Sequence, residues 1–240
     1  WNTFMSLYWS DVVEKNKTEY LTEKQLSTEL APIAIDLDLH FEYSTEERIY
    51  SQDHLDDLVD VYLAELKEMF CFDENTTFPI FLFEKDNINR VKDKKITKDG
   101  IHMIIGVQMK HDIQEILRKN VIPKVKEIWG DFPIINTWND VFDEGITKGY
   151  TNWQLYGSCK PDHDKYKLTN VYEISYDTDD GELINNRGNP SDYLTKEKFT
   201  MLSVRYQNHL NVLYQNSFLE KLENNNNSPR KKSRKFTFDE

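Results

Sequence analysis

Two aspartates separated by a single residue are the first groups in the chain that could carry chemistry. Asp36 and Asp38 lie in the segment Ala-Pro-Ile-Ala-Ile-Asp-Leu-Asp-Leu-His-Phe, residues 31–41. Apolar residues alternate with the two acids and His40, which is the period of a β-strand, so both carboxylates are expected on one side. They repel each other unless a cation lies between them, and Mg²⁺ or Mn²⁺ would prefer such oxygen ligands. Because an unused acid pair within an Ile- and Leu-rich strand is costly, we favour metal binding over a solvated strand face.

A lysine and a histidine form a second motif, Lys-Asp-Gly-Ile-His at residues 98–102. A turn brings His102 to the start of a predicted strand, where it could contact a phosphate oxygen, and Lys98 could add a positive charge. Gly100 permits a close backbone approach or a positive φ. A lone histidine at a strand edge is often structural, but the glycine favours a ligand site.

A third group combines an acid with a Gly-Ser turn. Asp143 follows two apolar residues in Val-Phe-Asp-Glu-Gly, and it is the candidate third metal ligand, with Asp140 as a competing acid. The loop Gly-Ser-Cys-Lys follows and could hold an anion through Ser158 and Lys160. Each feature is weak alone, but three acids, one histidine and nearby lysines are the parts of a phosphoryl-transfer site.

The segments around these motifs alternate between strand and helix. The apolar spacing predicts strands at 31–41, 78–84 and 101–109, helices at 55–70 and 112–130, a short helix near 137–144, a short strand near 152–156 and a last helix at 195–224. Asp53 is the expected cap of the helix at 55–70, and Pro123 is expected to kink or divide the helix at 112–130. Strands interleaved with helices predict an α+β (mixed α/β) fold.

The composition limits the class of protein. The 240 residues are 38% hydrophobic and 13% aromatic, enough for one large domain or two small subdomains with a shared core. No run of eighteen apolar residues occurs, which predicts no membrane span. Two cysteines, Cys71 and Cys159, are too few for a disulfide framework and suit a reducing compartment. The chain starts at Trp1 without a signal-peptide pattern, which we interpret as a piece of a longer protein.

The net charge of −12 is unevenly distributed. The tail between Arg230 and Lys235 holds five of the 30 basic residues, so the preceding body is more acidic than the whole chain. This argues against a generic basic nucleic-acid clamp. It is compatible with an enzyme that acts on nucleic acid, because metal-binding carboxylates themselves make a site acidic. We expect residues 1–223 to form a catalytic domain and residues 224–240 to be a disordered basic linker.

The order of the three motifs, apolar-Asp-x-Asp, Gly-x-His and apolar-Asp, resembles that of archaeo-eukaryotic primases. Residues 31–41, 98–107 and 153–161 are more closely similar to the primase part of the helicase-primases of nucleocytoplasmic large DNA viruses, the poxvirus-type family. The similarity covers roughly residues 30–165. The chain departs from the family pattern at Gly100, where many relatives carry a small hydroxyl residue, so that only a backbone N–H is offered there.

The resemblance implies an RRM-like sheet beside a second α/β subunit, and a nucleotidyl-transfer site with two Mg²⁺ or Mn²⁺ ions. The implied metal ligands are Asp36, Asp38 and Asp143. The implied contacts to the phosphates of an incoming NTP or dNTP are His102, Lys98, Ser158 and Lys160. The expected function is a template-dependent primase or primase-polymerase, which makes short primers for DNA replication on a single-stranded DNA template.

The resemblance also implies partners and a location. A helicase part would follow further along the same chain, where it could form a hexamer, and the place of action would be the host cytoplasm or a viral replication factory, with the nucleus as an alternative. No Gly-x-x-x-x-Gly-Lys-Ser/Thr loop occurs in these residues, so ATP-driven unwinding is not expected within them. Template phosphates could pair with basic side chains at 87–95, and bases could stack on Tyr and Trp at 150–166.

Two other functions stay open on the sequence. One is a metal-dependent nuclease that uses the same acids, and the other is a non-catalytic interaction domain of a replication protein, in which the acids are only solvated. The lysines, His102 and the Gly-Ser loop suit a triphosphate better than a lone phosphodiester, and they favour polymerisation over cleavage.

Overall fold

The computed structural model describes residues 1–26 and 29–227. Within these residues the strands are β1 (Thr22–Glu23), β2 (Ala31–Glu42), β3 (Thr77–Glu84), β4 (Asn89–Val91), β5 (Ile96–Met109), β6 (Trp153–Gln154), β7 (Lys167–Asp177) and β8 (Glu182–Gly188). The α-helices are α1 (Asn2–Trp9), α2 (Gln52–Met69), α3 (His111–Trp129), α4 (Trp138–Val141), α5 (Glu144–Thr147) and α6 (Asn216–Asn227). A π-helical turn at Ser10–Glu14 extends α1, and 3₁₀ turns lie at Pro190–Tyr193 and Phe199–Leu202.

One antiparallel sheet organises the chain. Its strands run in the order β2-β5-β3-β7-β8, and β4 pairs with the first part of β5 to form a hairpin. Strands β2 and β5 pair along their whole length, from Ala31 opposite Met109 to Glu42 opposite Ile96, with one irregularity after Pro32. The short strands β1 and β6 pair separately. The predicted α+β class is confirmed.

The helix side of this sheet carries the larger apolar core. Alternate residues of β2 and β5 contribute side chains to it, and α2 and α3 supply the facing layer. The members from the two strands include Ile33, Ile35, Leu37, Leu39, Phe41, Ile101, Met103 and Ile105, and those from the two helices include Leu58, Tyr62, Leu66, Leu117, Val121 and Val125. Each helix keeps one apolar stripe, which explains why periodicity locates both of them.

The opposite side of the sheet is covered only in part. A second apolar cluster packs there against β3 and the middle of β5, and it includes Met5, Tyr8, Phe81, Phe83, Ile104, Ile146, Trp153, Leu155, Phe199 and Leu202. The other half of this side carries polar residues of β2 and β5 and borders a cleft.

A buried carboxylic acid lies within this second cluster. Glu23 of β1 is 3% exposed, and its carboxyl accepts hydrogen bonds from the Ser203 hydroxyl and from the Val204 N–H. Burial raises the pKa of Glu23 to about 7, although the two hydrogen bonds and the charge of Arg205 act in the opposite direction.

Three details of the sequence-based assignment need correction. Ser51, and not Asp53, caps α2, and its N–H donates to Nδ1 of His54 at 3.1 Å; Asp53 lies in the first turn, where a negative charge favours the helix dipole. Pro123 does not divide α3, which continues from His111 to Trp129. The strands β7 and β8 occupy residues 167–188, where the apolar spacing predicted no element.

The last predicted helix, at 195–224, is largely wrong. Only the short turn at Phe199–Leu202 and the helix α6 are helical there. Between them the backbone runs along the sheet: the Leu210 N–H donates to the Gly106 carbonyl, and the Gln108 N–H donates to the Leu210 carbonyl. The linker predicted from residue 224 begins within α6, and its residues 228–240 lie outside the described part of the chain. None of the helices in the described residues is long and apolar enough to cross a membrane.

Candidate active site

The register of β2 and β5 brings the first two motifs together. Asp36 lies opposite His102, Asp38 opposite Gly100, and His40 opposite Lys98. Side chains of directly paired residues stand on the same face of a sheet, so the acids, the histidine and the lysine all point away from the helices. Nε2 of His102 lies 3.5 Å from Oδ1 of Asp36.

Asp38 is already paired with two basic groups. Its Oδ2 accepts a hydrogen bond from the Lys98 ammonium at 2.6 Å and contacts Nε2 of His40 at 2.9 Å. Burial acts to raise the pKa of Asp38, but the hydrogen bonds from Lys98 and His40 outweigh it and hold this pKa below its usual value. Lys98 therefore neutralises an acid rather than standing free for a phosphate.

The third acid is held against β2 by the main chain. The Asp143 N–H donates to the Asp36 carbonyl at 2.9 Å, and Phe142 bridges to Leu37. The Asp143 carboxylate caps α5 by accepting from the Ile146 N–H at 2.9 Å. Asp140, the competing acid, is exposed and bonds to the Thr137 hydroxyl at 2.6 Å. Asp143 lines the cleft together with Asp36 and Asp38, whereas Asp140 lines only a second pocket, which Asp143 also borders.

The buried side chain of Arg118 and the partly buried side chain of Asn136 fix this segment. The Arg118 guanidinium donates to the Phe142 carbonyl at 2.8 and 3.0 Å and to the Asn139 carbonyl at 2.6 Å. Asn136 accepts from the His40 N–H at 3.1 Å and donates to the Asp38 carbonyl at 2.8 Å. The outer edge of β2 is therefore closed by the segment that carries the third acid.

His102 lies between two aromatic rings. Tyr166 stacks on it at 3.6 Å between ring centroids with the planes 18° apart, and Trp153 lies 4.4 Å away on a tilted plane. Only 8% of the His102 side chain is exposed. Gly100 makes this stack fit, because a Cβ at residue 100 would overlap the Tyr166 hydroxyl. The Tyr166 hydroxyl therefore occupies the space beside Gly100.

These groups surround one cleft of about 360 Å³. Of the residues predicted from the sequence, the cleft is lined by Asp36, Asp38, Lys98, His102, Asp143 and Lys160. Ser158 is the exception: it is 1% exposed, its hydroxyl bonds to the Tyr8 hydroxyl at 2.7 Å, and it also accepts from the Leu21 N–H. The Ser158 side chain therefore stabilises the packing of α1 and does not line this cleft.

A third lysine on the cleft wall, Lys85, was not predicted from the sequence. Lys85 follows β3 directly, and its ammonium lies 4.8 Å from the centroid of the Tyr166 ring. Burial lowers the pKa of Lys85 and the neighbouring Lys160 lowers it further, while Asp36, Asp164 and Asp38 act in the opposite direction. In the sequence Lys85 belongs to the ordinary polar end of a strand, and only the tertiary fold brings it beside the acids.

The acids of the cleft are of the chemical type that binds divalent ions, but their arrangement in this structure does not form a metal site. Asp36, Asp38 and Asp143 line one cleft together with Asp99 and Asp164, and Mg²⁺ and Mn²⁺ prefer oxygen ligands. However, within residues 1–26 and 29–227 no three His, Cys, Asp or Glu side chains stand close enough together to hold a metal ion. Asp38 and Asp143 are instead occupied by Lys98 and by the Ile146 N–H.

The sheet and the cleft define an α+β protein with several carboxylates and several basic groups around one polar cavity. A sequence model of the C962R protein N-terminal AEP domain matches residues 1–172, and the chain belongs to this family of archaeo-eukaryotic primase (AEP) domains. A "Putative helicase L207/L206" of Acanthamoeba polyphaga mimivirus is 29% identical over 160 residues. That alignment covers 65% of this chain but 16% of the relative.

Family membership supports a primase-type role and places the chain among viral primase-like proteins. The matched region contains the strands β2 and β5 and the segment with Asp143, so it includes every residue of the cleft named above. It ends within β7, while β8 and the residues that follow pack on the same sheet.

Proposed function

We propose that the chain is a template-dependent primase or primase-polymerase domain, which joins nucleotides into short primers on single-stranded DNA. The observation that carries this proposal is the meeting of Asp36, Asp38, Asp143 and His102 around one cleft in a chain of the AEP family. Nucleotidyl transfer needs groups that bind a triphosphate beside groups that hold cations, and both kinds line this cleft.

In this proposal Asp36, Asp38 and Asp143 would hold two Mg²⁺ or Mn²⁺ ions by moving closer together than they stand in this structure. The ions, when bound, would supply positive charge for the triphosphate and for the attacking hydroxyl. Nε2 of His102 lies 3.5 Å from Oδ1 of Asp36, and the ring is held by packing against Trp153 and Tyr166, so His102 would stand beside the phosphates and the cation ligand together. Lys98 compensates the charge of Asp38 when no cation is bound. The β2–β5 pair supplies the rigid base that keeps these groups in position.

Template binding is proposed at the rim of the cleft. The hairpin of β4 and β5 carries exposed basic side chains, among them Lys92, Lys94 and Lys95, and Asn89 of the same hairpin lines the cleft. Tyr150 is 81% exposed on the loop that leads to the cleft residues Thr151 and Asn152. Basic groups beside an exposed aromatic ring suit a single strand, because phosphates pair with cations and bases stack on rings.

The mimivirus relative is named a helicase, so we also propose that a helicase part belongs to the same polypeptide and could assemble as a hexamer. The place of action would then be the host cytoplasm or a viral replication factory. Mass measurement of the longer protein tests the hexamer.

Primer synthesis by the purified chain tests the proposal. Single-stranded template, labelled NTPs or dNTPs and Mn²⁺ are expected to give short oligonucleotides with release of pyrophosphate. Asp36→Asn should reduce the yield on the order of a thousandfold, because it removes one charged cation ligand. Asp131→Asn, an exposed acid outside the cleft, is the matched control and should leave the yield unchanged.

Three results would contradict the proposal. The first is an unchanged yield of oligonucleotides from Asp36→Asn. The second is degradation of labelled DNA without added nucleotides, which indicates a nuclease. The third is the absence of both synthesis and any thermal stabilisation by Mn²⁺ with nucleotide, which indicates an interaction domain. Thermal unfolding of Asp36→Asn checks that its fold is intact.

A further inference from the structure

A buried glutamine bonds to both ends of the turn that follows Asp143. Gln25, shortly after β1, is 3% exposed, and its Nε2 donates to the carbonyls of Ile146 and Thr151, both at 2.9 Å. These two residues lie 121 and 126 positions further along the chain. The contact therefore forms only in the tertiary fold, where the N-terminal segment packs against the wall of the cleft.

The oxygen of the same amide is left without a partner. Oε1 of Gln25 is buried and accepts no hydrogen bond from the residues that the structure describes. A buried acceptor with no partner is destabilising, because it has lost its hydrogen bonds to water. The two bonds from Nε2 are thus made at a cost to stability, which directs attention to the turn that they hold.

One residue of the turn connects the glutamine to the third acid of the cleft. The Ile146 carbonyl accepts from Gln25, and the Ile146 N–H donates to Oδ1 of Asp143 at 2.9 Å. The main chain of Ile146 is therefore held from one side by the glutamine amide and holds the acid from the other side. A shift of Ile146 would move the hydrogen-bond donor of the Asp143 carboxylate.

The turn leaves little room for adjustment. The N–H groups of Tyr150 and Thr151 both donate to the Gly145 carbonyl, at 2.9 and 3.1 Å. A Cβ at residue 145 would overlap Oγ1 of Thr151 and lie 3.1 Å from Oδ1 of Asp143. Thr151 and Asp143 themselves line the cleft. Because the parts of the turn are in contact, release of the Ile146 and Thr151 carbonyls is expected to change the position of the Asp143 carboxylate.

We propose that Gln25 is a positioning residue, which holds Asp143 at the cleft with one carboxylate oxygen free for a divalent ion. This role rests on the proposed function, in which Asp143 is one of the cation ligands. Oδ1 of Asp143 is used by the Ile146 N–H, whereas Oδ2 has no hydrogen-bond partner within residues 1–26 and 29–227. A cation at Oδ2 leaves the bond to Ile146 intact, so Gln25 acts in the same way before and after a cation binds.

Amide hydrogen exchange of the full chain, followed by NMR without any cation, tests the position of the turn. Gln25→Met keeps the length of the side chain but removes both donors, and the Ile146 N–H should exchange about tenfold faster. Gln114→Met is the matched control. Gln114 is 2% exposed, its Nε2 also donates to two carbonyls, those of Pro32 and Met109, and its Oε1 also lacks a partner in the described residues, but it does not line the cleft. This variant should leave the exchange of Ile146 unchanged.

Binding of Mn²⁺ alone, measured by titration calorimetry, tests the consequence for the third acid. Gln25→Met should weaken binding about tenfold, since the removal of a group that orients a metal ligand has an effect of this size. Gln114→Met should lower the urea midpoint of unfolding to a similar extent but leave Mn²⁺ binding unchanged. In Asp143→Asn chains Gln25→Met should cause no further loss of Mn²⁺ affinity, because the ligand that it positions has already lost its charge.

Three results would overturn the positioning role. They are unchanged exchange of the Ile146 N–H in Gln25→Met, equal losses of Mn²⁺ affinity in Gln25→Met and Gln114→Met, and additive losses in the double variant with Asp143→Asn. Gln25→Asn is one methylene shorter and cannot reach both carbonyls, and it takes the place of Gln25→Met if that chain does not fold.

The exchange measurement separates this role from the proposed function. Exchange of Ile146 that depends on Gln25, in a chain that neither binds Mn²⁺ nor makes primers, would contradict the proposed function only. Primer synthesis by the wild-type chain, together with unchanged exchange of Ile146 in Gln25→Met, would contradict the positioning role only.

Discussion

The two faces of the central sheet are built from the same strands but provide different environments. On the helix side Leu37 and Leu39 are completely buried. On the cleft side the side chains of their neighbours Asp36 and Asp38 are 25% and 44% exposed. Because successive residues of a strand point to opposite faces, one short sequence supplies apolar packing and polar chemistry together. Substitutions one residue apart should therefore have effects of different kinds.

The largest effect is expected from a truncation on the helix side. Leu37→Ala should lower the free energy of unfolding by about 4 kcal/mol, because it leaves a cavity in a fully buried position. Urea unfolding followed by circular dichroism measures this change. Asp36→Asn, one residue away on the cleft side, should change it by about 1 kcal/mol or less. Equal losses of unfolding free energy in Leu37→Ala and Asp36→Asn would show that the two faces of the strand do not contribute differently to stability.

A smaller effect concerns the buried acid within the second cluster. The pKa of Glu23 is about 7 in the folded chain and about 4.5 in the unfolded chain, so the folded state binds more protons between these values. The contribution of Glu23 to the free energy of unfolding is therefore largest below pH 4.5 and falls as the pH rises to about 7. The shift corresponds to about 3 kcal/mol.

Glu23→Gln isolates this contribution. Urea unfolding of both chains between pH 5 and pH 8 should give a wild-type curve that falls with pH relative to that of the variant. His209, whose pKa burial lowers to about 4, acts in the opposite direction below pH 6.5, but it is present in both chains and cancels in the difference. Parallel curves would mean that Glu23 does not titrate in this range.

The smallest effect is expected where the cleft wall meets the sheet. Gly100→Ala should destabilise the chain by about 1 kcal/mol, because the added methyl group displaces the Tyr166 hydroxyl. Tyr166→Phe removes that hydroxyl, and it should restore most of the loss in the double variant. The four free energies of unfolding give the coupling between the two positions. Additive effects would indicate that the ring and the glycine are independent.

Much of the sheet's centre could be predicted from the sequence because its residues alternate clearly. The acids and His40 on β2 interrupt an apolar run at every second position, which locates the strand and both of its faces. Strand β7 lacks such a signal: Val171 and Tyr172 are consecutive and both buried, one on each face of the sheet. The segment around Leu210 has apolar residues at helix-like spacing, but its backbone bonds to β5, which no local pattern reveals.

The site residues also divide into those that local sequence patterns locate and those that only the tertiary fold brings to the cleft. Strand alternation alone places Asp36 and Asp38 on one face of β2 and Lys98 and His102 on one face of β5, and the antiparallel register of these two strands, which α2, β3 and β4 separate in the chain, brings the two sets together. Ser158 lies in a loop whose orientation depends on α1, more than a hundred residues earlier, so its burial could not be predicted from local sequence. Lys85 was missed for the same physical reason, since its neighbours Tyr166 and Lys160 are distant in the chain. The roles of the site residues stay predictions.

Main-chain hydrogen bonds, and not the cleft acids, hold the segment that carries Asp143 to β2. Neither the Asp143–Asp36 bond nor the Ile135–His40 bond involves an acidic side chain. Replacement of the Asp36 or Asp38 carboxylate therefore leaves these main-chain bonds in place, whereas replacement of Asp143 also removes the cap of α5. Substitutions of the cleft acids during evolution could therefore abolish or alter the chemistry of the cleft without unfolding the domain. A related protein that had lost its activity in this way would keep the same fold.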